Sequence, residues 1–306
     1  MRCVGLALIG VAFSSPALAD CVGRSFDQET VLNPPLCLPE NPRRIVALDP
    51  TFSLGMPIEL GMPLVGAPLA GMSDEALKAK AKAAGIEDLG TFFEPSIEKI
   101  IALRPDLIIG AGMLGTEAYE RASKIAPTAL VMAKNWKSFY RTIAEIGGRG
   151  DEMDTLFSEY NLRVAEIRER VPKDIKVSVV RITPNEFQVY LDKPNTWAPF
   201  DVLREAGVKR TSFETSSTNE PTKRLDFEGL IELDGDILLY IVGGSNDSAT
   251  SGRHEAVISH PLWQMLPAVK ANRVYRVDPA TWMEFNGIAS ANKVLDDIET
   301  YIIGKP

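Results

Sequence analysis

Between two series of alternating strand and helix signals lies one long amphipathic stretch, Asp151 to Val171, and it decides how the rest of the chain can be arranged. Met153, Leu156, Phe157, Tyr160, Val164 and Ile167 recur at steps of 3, 1, 3, 4 and 3. That spacing puts them on one face of an α-helix of about five turns. Pro172 stops the helix, because proline has no amide hydrogen and its ring clashes with the preceding turn.

On the N-terminal side, Arg43–Leu48 and Pro63–Pro68 read as buried strands, and Asp74–Ala84 as a helix stopped by Gly85. Ser96–Leu103 is a helix leading into the strand Asp106–Ile109, and Thr128–Met132 is a further strand. Beyond Pro172 a second series follows: Lys176–Ile182, Gln188–Leu191, a helix near Phe200–Ala206, Asp236–Val242 and Arg273–Val277. Strands alternating with helices at this spacing imply βα units around parallel sheets. The fold expected is α/β, two Rossmann-like lobes joined by a single long helix, with a ligand cleft between the lobes. The lobes span residues 41–150 and 172–306, and the interdomain helix spans 151–171.

Residues 1–19, MRCVGLALIGVAFSSPALA, combine one basic residue, a short apolar run and a terminal Ala-Leu-Ala. This is the pattern of a secretory signal peptide, with cleavage expected before Asp20. The apolar run, Val4–Phe13, falls well short of the roughly 20 residues that span a bilayer. Leu18-Ala19-Asp20-Cys21 also resembles a lipoprotein box, but Asp20 stands where a small neutral residue is needed, so Cys21 is read as unlipidated. Loss of the leader removes Cys3 and leaves Cys21 and Cys37. Two cysteines in an oxidising compartment most simply form one disulfide, making residues 20–40 a disulfide hairpin. A Gram-negative periplasm is the expected destination, with full secretion as the alternative.

The 306 residues carry 33 Lys and Arg against 41 Asp and Glu, a formal charge of −8. Nucleic-acid affinity rests on clustered basic residues, so that class of partner is excluded. Only two histidines occur, His254 and His260. They are too far apart for H-E-x-x-H, and His260-Pro261 reads as a structural turn. With both remaining cysteines paired, no protein metal site is expected. There is no G-x-S-x-G, no Walker motif and no Ser-His-Asp or Cys-His set, so no catalytic residues are assigned.

One segment recurs. Ser96-Ile-Glu98 through Asp106-Leu-Ile-Ile109 aligns with Asp226-Phe-Glu228 through Asp236-Ile-Leu-Leu239. Each copy is a cap residue, a glutamate two positions on, an apolar helix, a tight turn, an aspartate and a strand. Helix-turn-strand units resemble one another widely, yet the echo places Glu98 and Glu228 at equivalent points of two lobes. Either glutamate alone reads as a surface carboxylate favoured by the helix dipole. As a pair they suit a two-fold cationic partner.

Gly110-Ala-Gly112-Met-Leu-Gly115 is a literal G-x-G-x-x-G after a strand. Its strand is not the first of its unit, and the next strand ends in Met132-Ala-Lys-Asn135 without the acid that would bind a ribose. The glycines are read as a sharp turn at the carboxyl end of a strand, where α/β proteins bind ligands. Trp197 and Trp282 follow strand-like segments and are placed either in a cleft or in the core. Arg181, near the end of a buried strand, needs an anionic partner, either a core carboxylate or a ligand anion.

Together these residues resemble the ABC-transporter solute-binding proteins for ferric siderophores, the long-helix class that includes cobalamin- and haem-binding members. The resemblance covers about residues 41–303. It rests on Asn41-Pro42-Arg43-Arg44-Ile45-Val46-Ala47-Leu48, on Gly90 followed by Glu94-Pro95-Ser96-Ile97-Glu98, on Leu103-Arg104-Pro105-Asp106, and on His260-Pro261-Leu262-Trp263 through Val269-Lys270-Ala271-Asn272-Arg273-Val274-Tyr275. The last block is most similar to the ferrichrome-type hydroxamate receptors.

The resemblance implies that Glu98 and Glu228 dock onto arginines of an ABC permease dimer at the inner membrane. It implies a cleft lined by Phe52, Phe92, Phe93, Met113, Trp197 and Trp282, with Arg181 and Arg253 offering charge to an anionic ferric complex. Trp282 matches a cleft tryptophan of the hydroxamate receptors. Phe92 and Met113 depart from them, standing where they carry an Arg and a Tyr. The siderophore itself holds the iron, so neither cofactor nor protein metal ligand is required, and a monomer without enzymatic activity is expected. Cobalamin or haem is the alternative ligand within the class. An exported NAD-linked oxidoreductase using Gly110–Gly115 is the alternative outside it.

Overall fold

The computed structural model describes residues 21–215, 220–243 and 252–304; the leader expected over residues 1–19 lies outside them. The first lobe is built on a five-stranded, wholly parallel sheet in the order Glu87–Asp88, Leu64–Ala67, Ile45–Ala47, Leu107–Ala111, Thr128–Val131. Its strands read as unbroken apolar runs because both faces are covered. Ile45, Ala47, Leu107 and Ile109 join the main core, whereas Val46, Ile108 and Leu130 join a second cluster with Ile100 and Ala122 on the other face. This two-residue alternation is the strand geometry itself.

The second lobe carries a mixed sheet in the order Thr222–Leu225, Phe187–Tyr190, Lys176–Ile182, Ile237–Val242, Val274–Val277, with Lys209–Arg210 pairing beside Lys176 and Val177. Three of the expected strands run parallel as a core. Phe187–Tyr190 departs from the expected parallel series and runs antiparallel to Lys176–Ile182. The reason is the length of the connection. Thr183 and Glu186 close it with backbone and hydroxyl hydrogen bonds, and so short a link permits only a hairpin.

The interdomain helix runs Gly150–Arg170, one residue earlier than the sequence boundaries. Met153, Tyr160, Val164 and Ile167 are buried, and Leu156 and Phe157 pack against the same core. The Tyr160 hydroxyl donates to Glu205 at 2.7 Å, and Glu205 also pairs with Lys137 at 2.8 Å. One carboxylate thus ties the connecting helix to the first-lobe helix Trp136–Gly147 and the second-lobe helix Ala198–Glu205.

The N-terminal arm forms the expected hairpin, Arg24–Phe26 against Leu36–Leu38, closed by the Cys21–Cys37 disulfide. Between those strands the arm covers the sheet edge. The Leu32 amide donates to the Leu130 carbonyl at 2.8 Å, and the Met132 amide to the Thr30 carbonyl at 2.7 Å. An edge strand left bare would invite pairing with another chain. The Arg24 guanidinium donates to the Glu145 and Ile146 carbonyls, satisfying acceptors left open at the end of a helix.

The internal echo is visible as structure. Asp106 accepts from the Arg43 and Arg44 amides, and Asp236 accepts from the Lys176 amide, each tying its strand to the residues entering the first strand of its lobe. Ser96 and Asp226 accept from the amide three residues on. The copies differ in helix type: Ile97–Leu103 is α-helical, whereas Glu228–Glu232 is a short 3-10 helix rather than the expected α-helix. Gly229, standing where the first copy has Lys99, weakens the α-helical alternative.

Candidate functional site

At the carboxyl end of the first-lobe sheet, buried Asp49 organises the loops. Its carboxylate accepts from the Thr51 and Ser53 amides, the Thr51 hydroxyl and the Ala111 amide, joining the ends of two neighbouring strands. Asp88 does the same for the next loop, accepting from the Leu69 and Gly90 amides. Gly90 has φ +98°, a conformation that only glycine adopts without strain. That turn presents Phe92 and Phe93, with ring centroids 5.0 Å apart.

Both phenylalanines line an apolar cavity of about 530 Å³ together with Ile97, Met113, Leu114 and Ile125. Phe93 is 86% exposed and Met113 is 82% exposed, so their apolar surfaces face the opening. Met113 lies on a 3-10 turn, Gly112–Leu114. A Cβ on Gly112 would sit 2.0 Å from the Met132 sulfur. Gly110 and Gly112 are therefore explained by close packing, and Gly115 by its φ of +79°.

A second cavity, of about 360 Å³, opens between the lobes and is lined by Phe52, Lys134, Asn135, Tyr190, Trp197 and Thr222, among others. Phe52 of the first lobe stacks on Trp197 of the second, with centroids 6.0 Å apart and planes 19° apart. Asn135 donates to Asn195 across the same gap at 2.9 Å. The expected single aromatic cleft is thus two cavities, Phe92, Phe93 and Met113 in one and Phe52 and Trp197 in the other.

Trp282 lines neither. It is 0% exposed, its ring packs edge-on against Phe200, and its indole N–H donates to Asp297 at 2.7 Å. Expectation placed it in the cleft; the structure places it in the core beneath, where its carbonyl accepts from the Trp197 indole at 2.8 Å. Its partner Asp297, half-buried, has its carboxyl pushed up to about 6, chiefly by burial.

The second lobe contains two buried arginines with opposite surroundings. Arg210 pairs with Glu214 at 2.7 Å and donates to the Val177 carbonyl, all within the core. Arg181, 8% exposed near the carboxyl end of Lys176–Ile182, has no carboxylate partner among the described residues. It makes one long bond to the Gly243 carbonyl, 3.3 Å, and its Nε is unpartnered.

Arg253 lies against the neighbouring strand, with its guanidinium 5.0 Å from the centroid of Phe187 and 5.4 Å from that of Phe227, and its Nε is also unpartnered. Phe187 pairs with Ile182 and Gln188 with Arg181, so the two guanidinium groups stand at the same end of the sheet on opposite faces. Residues 244–251, between Gly243 and Gly252, lie outside the described residues.

Neither histidine lines either of these two cavities. His260 caps the short helix Pro261–Gln264 through the Leu262 amide, as the turn reading requires. His254 stacks on Tyr240, and burial, with Arg276 nearby, pushes its imidazole below its usual range. Among the described residues no group of three or more His, Cys, Asp or Glu is placed to hold a metal ion. Glu98 and Glu228 are exposed and also stand outside both cavities.

Asp49, Asp88, Asn135, Asn195 and Tyr190 were not singled out from the sequence. Asp49-Pro50 had a visible signal, a carboxylate closing an apolar strand run. The asparagines had none, because their contact joins residues 60 positions apart.

Two α/β lobes joined by one long helix, with cavities between and beside them, define the architecture of a two-lobed binding protein. Residues 45–281 match the periplasmic binding protein family, and the chain belongs to that family. It is 29% identical over 279 residues to a probable siderophore-binding lipoprotein, YfiY, of Bacillus subtilis, covering 87% of this chain and 84% of that protein. It is 30% identical over 224 residues to an achromobactin-binding periplasmic protein of Dickeya dadantii, covering 70% and 72%. The fold is similar to the crystal structure of Staphylococcus aureus SirA complexed with staphyloferrin B, with a TM-score of 0.76, 22% identity, and 90% of this chain and 97% of that chain covered.

Proposed function

We propose that this protein captures a ferric siderophore, as an anionic complex, between its lobes and delivers it to an ABC-type permease dimer at the inner membrane. The carrying observation is the contrast between Arg210 and Arg181. The fold neutralises the first with Glu214, and the second has no carboxylate partner among the described residues. A buried, unpaired guanidinium is costly, and an arriving anion pairs with it in a dry site through charge-assisted hydrogen bonds. Arg253, stacked on Phe187, lies at the same sheet end but on the face opposite Arg181 and is a separate positive group. The relatives named for binding a siderophore, and the one named for achromobactin, support the ligand class.

The cavity walled by Phe92, Phe93 and Met113 supports a chelate with an apolar portion, since apolar walls with a few polar groups reward such ligands. The siderophore encloses the iron, so no protein ligand to the metal enters the reading. Export with cleavage before Asp20 fits a periplasmic protein. The Cys21–Cys37 bond supports an unlipidated Cys21, because its sulfur is already committed.

Equilibrium dialysis of the mature protein against radio-iron-labelled hydroxamate, catecholate and carboxylate complexes tests the reading. Saturable retention of one class, and none of free ferric ion, is expected. Retention of none would overturn it.

A further inference from the structure

Each echo glutamate has an apolar companion. Three residues after Glu98 stands Ile101, 54% exposed, and three residues after Glu228 stands Ile231, 61% exposed. The two isoleucines align in the repeat, and the residue before each, Ile100 or Leu230, is buried. A spacing of three puts a side chain on the same face one turn on, in an α-helix as in a 3-10 helix. The pairing therefore survives the change of helix type between the copies.

Among the described residues the charge beside each isoleucine is uncompensated. Lys99, next to Glu98, is held away by Glu87 at 2.9 Å and by the Asp88 carbonyl at 2.6 Å. Position 229 is glycine. Neither Glu98 nor Glu228 has an ion-pair partner among the described residues. Two exposed aliphatic side chains at repeat-related positions, each beside a free carboxylate, form one chemical patch presented twice.

We propose that Ile101 and Ile231 are the apolar halves of two equivalent docking patches. Each patch would meet a site on the permease dimer in which an arginine stands beside an apolar hollow, one such site per permease protomer. This rests on the permease reading above and adds to it that docking is not purely electrostatic. The glutamates steer and orient, and the isoleucines supply buried area that slows release. Charge complementarity and the two-fold repetition favour a dimeric partner carrying two copies of one site.

The test uses the mature protein, loaded with its ferric complex, and the host's permease in lipid nanodiscs, with affinity measured at several salt concentrations. Ile101→Ser and Ile231→Ser should each weaken permease binding about 10-fold, the scale expected for losing one buried aliphatic side chain. The dependence on salt should stay as in wild type, and ligand affinity should not change. Ile101→Val with Ile231→Val should restore most of the binding. Glu98→Gln with Glu228→Gln should weaken binding and flatten its salt dependence.

If the serine variants bind like wild type while the glutamine variant does not, the proposal is overturned and the electrostatic docking reading stands. If neither set changes binding, docking through these patches fails altogether.

Discussion

Glu59 and Glu284 make the same contact in opposite directions across the join between the lobes. Glu59 ends the first-lobe helix Phe52–Glu59 and accepts from the Ile288 and Ala289 amides, which open the C-terminal helix Ile288–Asp297. Glu284, just before that helix, accepts from the Ser73 and Asp74 amides, which open the first-lobe helix Glu75–Ala83. Each carboxylate thus satisfies amides that a helix start leaves open. Gly287 lets the chain pass: a Cβ there would lie 2.5 Å from the Glu59 carboxylate.

Removing this clasp should loosen the join. Glu59→Ala leaves two helix-start amides without their acceptor and should cost about 1–2 kcal/mol. Glu284→Ala should cost about 1–2 kcal/mol. Urea unfolding followed by circular dichroism checks both, and the double variant tests whether the two contacts act together.

The Asp297 carboxyl titrates near pH 6 because burial raises it. A carboxyl whose folded pKa lies above its unfolded value costs stability when ionised; the cost starts to shrink as pH falls below about 6 and is gone only below the ordinary aspartate value. Asp297→Asn keeps an acceptor for the Trp282 indole and removes the charge. The variant should therefore melt above wild type at pH 7.5 by about 2–4 °C, and the gap should narrow steadily below about pH 6 and close only near the unfolded aspartate value, about pH 4. A gap independent of pH would contradict the assignment.

The two tryptophans at the floor should separate cleanly. Trp282→Phe removes the indole donor from Asp297 and should lower stability by about 1–3 kcal/mol, with ligand affinity within about 2-fold of wild type. Trp197→Phe should leave stability near wild type and abolish most of the fluorescence response to ligand. Thermal melts and ligand titrations on both variants read this directly.

Reducing Cys21–Cys37 opens a ring of 17 residues and should cost on the order of 3 kcal/mol through the entropy of the unfolded chain. Ligand affinity should survive, since the arm covers a sheet edge and lines neither cavity. Melting with and without reductant, alongside ligand binding, tests both halves.

Much of this architecture was legible because parallel strands covered on both faces read as apolar runs, and a single 3.6-residue period marks the joining helix. The echo was legible because Asp106 and Asp236 do similar local work, each accepting from backbone at the entry to its lobe's first strand. The hairpin at Phe187–Tyr190 was not, since strand direction depends on the closure of a short link rather than on the strand's own residues. Trp282 was misplaced for a different reason: its burial is decided by Asp297 and Phe200, which the local sequence does not bring near it. Glu59 and Glu284 left no trace either, because each accepts from backbone amides more than 200 residues away, and amides carry no side-chain signature. Arg181 was legible as a cation in need of an anion. Only the structure shows that Glu214 serves Arg210 instead.

The most direct test titrates the mature protein with a panel of ferric siderophores, following tryptophan fluorescence in wild type and in Arg181→Met. One class of complex should quench saturably in wild type. In Arg181→Met the affinity for that complex should fall by about 10–100-fold, while thermal stability stays level or rises because a buried charge with no carboxylate partner among the described residues has been removed. Absence of quenching with every complex, or wild-type affinity in Arg181→Met, would contradict the account.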